Sequence, residues 1–249
     1  MKMILRLVHS AYFFGIGALT IIFGYFACAL LVLLGFNERK TFFLWGRIWA
    51  RIMLATAGCR AKIYGADNLP KNRAMILASN HQGIFDVLLL LAALPVRYRF
   101  VMDDWLFTIP FFGRSCRRAG SLEVKTNGTH RNFGLLKKMI QAAREGDSIL
   151  IFPEGQRTHD HKLNEFKEGV AVVAAETGAP VIPVAISGSF HVLRRGSRLF
   201  QAGTLILRIG KPLYFRAGGR EGQLPKLAEF AGAVRAEVSG LLAHHGQGV

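Results

Sequence analysis

From Ser10 to Asn37 the chain carries no aspartate, glutamate, lysine or arginine, and such a stretch has few stable destinations in water. The run AYFFGIGALTIIFGYFACALLVLLGF is long enough for the roughly 20 apolar residues that cross a bilayer as a helix. Lys2 and Arg6 precede it, as in a secretion signal. However, the apolar run is too long for an ordinary signal core, and no clear small-x-small cleavage site follows. The segment is therefore expected to be retained as a membrane element. Gly15, Gly17, Gly24 and Gly35 leave two forms open: a crossing helix, or a bent or re-entrant pair that dips into one leaflet.

The following segment, TFFLWGRIWARIMLATAG, changes character. Trp45, Ile48, Trp49 and Ile52 recur at helical spacing, with Arg47 and Arg51 on another side. That pattern predicts a helix lying in the headgroup layer, the alternative being a core helix with two solvated arginines. Arg39, Lys40, Arg47, Arg51, Arg60 and Lys62 all follow the apolar run. The positive-inside bias then places the remainder on the cytoplasmic face of the inner membrane. Residues 1–60 are read as membrane-embedded or interfacial helices, and residues 61–249 as the catalytic domain.

Composition narrows the partner. Lysines and arginines number 32 against 16 acidic residues, a formal charge of +16. Such an excess seeks an anion, whether nucleic acid, an anionic bilayer or a phosphorylated substrate. The 51% hydrophobic content excludes a disordered tail and leans toward lipid. Cys28, Cys59 and Cys116 are too few and too scattered for a disulfide framework or a metal cluster. They fit small hydrophobes in a reducing compartment.

Beyond residue 60, short apolar runs alternate with helical patterns. AMILASN (74–80), SILIF (148–152), PVIPVAIS and TLILRIG read as strands. GIFDVLLLLAAL (83–94), residues 129–145, GVAVVAAETG and a C-terminal amphipathic stretch read as helices. In the helix over 129–145, Phe133, Leu136, Met139 and Ile140 define one apolar face. The alternation predicts an α/β fold with a mixed, mostly parallel sheet flanked by helices and preceded by the membrane segment.

Two clusters carry chemistry. Asn80-His81-Gln82-Gly83-Ile84-Phe85-Asp86 falls where a strand gives way to a helix, the usual place for a site in such sheets. Within one continuous helix His81 and Asp86 would point about 140° apart. They meet only if His81 lies in the preceding loop and Asp86 in the first turns. Asp86 then accepts the imidazole N–H and leaves the other ring nitrogen to take a proton from a hydroxyl. Taken alone, the pair is better read as a satisfied histidine near a helix start with Asp86 capping the first turn. Phe152-Pro153-Glu154-Gly155-Gln156-Arg157-Thr158 is a strand ending in a turn with an arginine, suited to gripping an anion.

Together, His-x4-Asp after a strand, Phe-Pro-Glu-Gly some seventy residues on, and Val181-Ile182-Pro183-Val184-Ala185 resemble the glycerolipid acyltransferase family, particularly its 1-acylglycerol-3-phosphate acyltransferases. The resemblance runs from about Gly65 to Pro212. It implies His81 as general base, Asp86 as its orienting partner, and Glu154, Gly155 and Arg157 in an acceptor and phosphate pocket. Lys167, in Phe166-Lys167-Glu168-Gly169, is implied as a further contact, and Pro183 as a shape determinant. The implied reaction is direct transfer of an acyl group from acyl-CoA or acyl carrier protein to a lysophospholipid hydroxyl, without a cofactor or metal. No Gly-x-Ser-x-Gly elbow offers a covalent serine route; Ser187-Gly188-Ser189 does not fit it.

Departures from the family pattern bear on the acceptor. Asp103 stands near the place of a family lysine, Gly120 to Thr126 stand where a strand and an Asp-Arg pair are usual, and Gln156 replaces a threonine. Lys125, Arg117 or Arg118 are the available substitutes, although lysine lacks arginine's bidentate fork. Lysophosphatidic acid leads as acceptor, with another lysolipid, such as a lyso-amino-acid lipid, as the alternative. A catalytically silent lipid-binding protein would not need both His81 and Asp86. The long apolar segment and the absence of a recognition motif exclude a nucleic-acid partner.

Remaining features have plainer readings. His159-Asp160-His161 lacks a partner cluster for a metal site and reads as a polar loop. Asn127-Gly128-Thr129 reads as a turn rather than a glycosylation site. Arg194, Arg195 and Arg198 form a basic cluster suited to anionic lipid headgroups. Gly218-Gly219 marks a turn, and His244 and His245 belong to a frayed end.

Overall fold

A computed structural model describes residues 2–125, 131–158, 162–193, 197, 199–216 and 227–243. The features read at 127–129, 159–161, 194, 195, 198, 218–219 and 244–245 lie outside the described residues.

The apolar run forms one continuous helix, α1 (Lys2–Leu33). The chain turns at Gly35, whose φ of 91° suits glycine. Asn37 then caps α2 (Glu38–Thr56) by accepting the Lys40 N–H at 3.0 Å. The helices run antiparallel. Ser10, Phe13, Gly17, Gly24 and Cys28 form the buried stripe of α1 at intervals of three to seven residues, while Leu19, Phe23, Phe26 and Leu30 stay exposed.

Helix α2 turns part of its apolar face onto α1 and leaves Leu44, Ile48 and Arg51 exposed. Trp45 lies so close to α1 that a Cβ on Gly24 would sit 1.8 Å from its ring. Trp49 donates its indole N–H to the Gly17 carbonyl at 3.4 Å. Gly24 opens a notch that the Trp45 indole fills, and Gly17 one that the Met53 side chain fills. Of the four residues assigned to the lipid-facing side, Ile48 is 47% exposed.

The rest alternates strands and helices in chain order: β1 (Arg60–Tyr64), β2 (Ile76–Ser79), α3 (Ile84–Ala93), β3 (Arg99–Asp103), α4 (Phe112–Arg118), β4 (Leu122–Val124) and α5 (Arg131–Arg144). Then come β5 (Ile149–Ile151), α6 (Gly169–Thr177), β6 (Val181–Ser187), the single turn α7 (Ser189–Val192), β7 (Thr204–Ile209) and α8 (Leu227–Ala243). The seven strands lie in the order β1-β7-β6-β2-β5-β3-β4. All pair in parallel except β6 with β7, as the mixed, mostly parallel sheet required.

Period-two alternation sends side chains to two cores. Leu77, Phe100, Met102, Leu150, Ile182 and Val184 face α1 to α4. Ile76, Ala78, Ile149, Ile151, Val181 and Ala185 face α5, α6 and α8. Buried on both faces, β2, β5 and β6 read as unbroken apolar runs, which made them visible in the sequence. On α5 the buried stripe passes through Met139 and Ala142, and Phe133, expected among the buried face, is 75% exposed in the first turn.

Candidate active site

Strand β2 ends at Ser79, and Asn80 extends it with its side chain. Its amide donates to the Ile186 carbonyl at 2.9 Å and its carbonyl oxygen accepts the Ile186 N–H at 2.7 Å. This pins the loop to β6 before His81 leaves the sheet. Gly83, extended at φ −177°, leads into α3, so His81 sits in the loop and Asp86 in the first turn, as their spacing required.

The two side chains meet. His81 Nδ1 lies 2.8 Å from Asp86 Oδ2. Asp86 is wholly buried, and the same oxygen accepts the N–H groups of Gln82 and Gly83, the latter at 2.7 Å. An ionised carboxylate survives such burial only with several donors. With Nδ1 committed to Asp86, Nε2 is the nitrogen left for a substrate. The imidazole also stacks on Phe152, centroids 3.9 Å apart and planes 9° from parallel, which removes its remaining rotation.

Glu154 is 4% exposed. Oε1 accepts the His81 backbone N–H at 2.7 Å, and Oε2 accepts both N–H groups of Asn164, at 3.0 and 2.9 Å. The carboxylate therefore braces the His81 loop. The Thr158 N–H returns to the His81 carbonyl at 2.9 Å, so the two sequence clusters are stitched together. From α8, Arg235 clamps the carbonyls of Asn164 and Leu163 at 3.0 and 2.9 Å. Nothing in the sequence marked Asn164 or Arg235, since their pairing spans a separation of 71 residues.

The expected basic contacts are less convergent. Gly155 takes φ 71°, and a Cβ there would meet Lys167 Nζ at 2.4 Å, so Lys167 lies over the Phe-Pro-Glu-Gly turn. Arg157 is half-buried and engaged within the protein. Lys125 follows β4, three strands from β2, which puts it about 14 Å along the edge from His81. Asp103 is exposed at the end of β3, and Pro183 lies in β6 opposite Ala78. Among the described residues no cluster of His, Cys, Asp and Glu could hold a metal.

An apolar cavity opens between α1, α2, α3, α4 and β3, with Val87, Phe100, Met102, Leu91, Trp45 and Phe42 in its walls. Phe100 lies 5.8 Å from Phe152, the ring that carries His81.

The chain belongs to the acyltransferase family, whose model matches residues 60–187, a span that contains the His81–Asp86 pair and the Phe-Pro-Glu-Gly turn stitched to it. It is 31% identical over 179 residues to the chloroplastic 1-acyl-sn-glycerol-3-phosphate acyltransferase BAT2 of Brassica napus, covering 71% of this chain and 52% of that one. It is 26% identical over 216 residues to the 1-acyl-sn-glycerol-3-phosphate acyltransferase of Saccharomyces cerevisiae, covering 86% of this chain and 69% of the yeast one. The crystal structure of the 1-acyl-sn-glycerophosphate acyltransferase from Thermotoga maritima superposes with a TM-score of 0.81 at 28% identity, covering 98% of both chains. The chain spans about half the length of the plant relatives it matches. Helix α1 is long and apolar enough to cross a membrane over Ile4–Leu33. Together with the family, it supports membrane association.

Proposed function

We propose that this protein transfers a fatty acyl group from acyl-CoA or acyl carrier protein to the free hydroxyl of lysophosphatidic acid, forming phosphatidic acid at the cytoplasmic face of the inner membrane. The observation that carries this reading is the 2.8 Å contact between His81 Nδ1 and the buried Asp86 carboxylate. It favours the tautomer with the proton on Nδ1, which leaves Nε2 as the nitrogen able to accept a proton.

In the proposed reaction, the acceptor hydroxyl gives its proton to His81 Nε2 as its oxygen attacks the thioester carbonyl. The carbon–sulfur bond breaks, and the imidazolium returns the proton to the departing thiolate. Asp86 stabilises the imidazolium while it lasts. Ser189 is wholly buried and its hydroxyl donates to Gln82 Oε1 at 3.1 Å, which argues against a serine nucleophile. The apolar cavity lined by Phe100 and Val87 has the character to receive an acyl chain, and the +16 charge favours anionic lipid and a phosphorylated acceptor. Arg157 and Lys167, on or over the Phe-Pro-Glu-Gly turn, are the side chains proposed for the acceptor phosphate, with Lys125 as an outlying contact.

One observation favours a second acceptor: the exposed Asp103 carboxylate, which would suit a lysolipid bearing an amine, such as a lyso-amino-acid lipid. Competition between the two acceptors for one labelled donor separates the readings. Preference for lysophosphatidic acid that collapses in Arg157→Ala supports the first; preference for the amine-bearing lysolipid that collapses in Asp103→Ala supports the second.

A further inference from the structure

The indoles of Trp45 and Trp49 turn inward, but Trp105 is 49% exposed and Ile109, four residues on, is 38% exposed. Both belong to the stretch between β3 and α4, beginning with the 3-10 turn Asp104–Thr108. They leave the sheet at the same carboxyl edge from which His81 leaves it.

This stretch is firmly braced. The Asp104 carboxylate accepts the Trp105 N–H at 2.9 Å, and the Thr108 hydroxyl donates to the Trp105 carbonyl at 2.6 Å. Arg117 donates to the Phe107 carbonyl at 3.0 Å while its guanidinium lies 5.0 Å over the Phe107 ring. Gly113 is so tightly packed that a Cβ would fall 2.2 Å from the same carbonyl. Phe111 takes a positive φ of 59°, a conformation that a bulky residue adopts only where its surroundings hold it. Its ring is seated 5.5 and 5.7 Å from Tyr25 and Phe26 of α1.

A rigid turn thus holds a tryptophan and an isoleucine in solvent, fastened to α1 next to that helix's own exposed apolar side, where Phe23, Phe26 and Leu30 are 69%, 58% and 58% exposed. Arg114 and Arg117 are exposed just beyond it. An amphipathic indole, an aliphatic neighbour and flanking arginines, continuous with a helix of membrane character, match the headgroup zone of an anionic bilayer.

We propose that residues 104–111 form a second bilayer contact, with Trp105 and Ile109 inserted at the headgroup level of an anionic membrane. The contact holds the carboxyl edge of the sheet, and with it His81, against the lipid surface. Its purpose rests on the acyltransferase reading, but its test does not use the chemistry.

The full chain is mixed with vesicles of phosphatidylcholine and phosphatidylglycerol whose acyl chains are brominated near the headgroup, and tryptophan quenching is compared between wild type and Trp105→Phe. The expected result is that the variant loses lipid-quenched emission and keeps the wild-type response to aqueous acrylamide. Ile109→Trp is expected to add a lipid-quenched component. Loss of an acrylamide-quenched component in Trp105→Phe overturns the proposal. So does a Trp105 shielded from both quenchers, which would assign the turn to a protein contact such as a second copy. An inactive protein whose Trp105 is lipid-quenched would sink the catalytic reading and leave this contact standing.

Discussion

Glu154 Oε1 accepts the backbone N–H of His81 at 2.7 Å, across 73 residues of chain. The carboxylate that the family resemblance assigned to the acceptor pocket is thereby a strut under the proposed general base, with its other oxygen occupied by Asn164. Glu154→Gln must turn an amide N–H toward one of these donors. Leaving that buried donor unmet costs about 1–3 kcal/mol, so the melting temperature and kcat are expected to fall together while KM for the acceptor changes little. A variant with unchanged melting and a raised KM would return Glu154 to the substrate.

Asp86 can be tested without dismantling the loop. Asp86→Asn can seat its carbonyl oxygen where Oδ2 now accepts the Gln82, Gly83 and His81 donors. The geometry is retained and the negative charge that stabilises an imidazolium is lost. A fall in kcat of about 10²–10⁴-fold is expected, with the fold intact by circular dichroism. Near-wild-type turnover would show that Asp86 only caps α3.

Phe152 stacks on the His81 imidazole at 3.9 Å. Such a contact is worth about 0.5–1.5 kcal/mol, and Phe152→Leu keeps the apolar volume while removing the flat platform. Turnover is expected to drop about twofold to tenfold. Steady-state rates at saturating donor and acceptor measure it; an unchanged kcat would mean that Asp86 alone orients the ring.

Cys116 lines the apolar cavity, and burial pushes its thiol up to about 12, with Arg117 opposing weakly. A desolvated thiol resists becoming thiolate, so alkylation by iodoacetamide at pH 8 is expected to be slow in the folded protein and fast in urea. The unfolded thiol ionises near its ordinary 9.0 and the folded one near 12. Its contribution to stability is therefore complete below pH 9 and lost as pH rises toward 12. Rapid alkylation of the native protein at pH 8 would contradict this burial.

What the sequence disclosed follows its local periodicities. β2, β5 and β6 were legible because a buried parallel strand is an apolar run, and α1 because nothing charged interrupts it. β1 was not, since all five of its residues are exposed at a sheet edge. The His81–Asp86 pair was legible through the family resemblance; its five-residue spacing admits a local geometry in which the side chains meet but by itself favoured helix capping. The packing of Trp45 and Trp49 on α1 was not legible, because their surroundings include Gly24 and Gly17, on a different helix. Glu154, Asn164 and Arg235 form a brace through contacts of long sequence separation, which no local pattern announces.

The most direct test of the central claim is acyl transfer to lysophosphatidic acid from labelled acyl-CoA and acyl carrier protein, by membranes carrying wild-type protein or His81→Ala. The account predicts phosphatidic acid from the wild type and a rate at least about 10²-fold lower from the variant. Equal activity in both, or none from the wild type with any donor and acceptor, would contradict it.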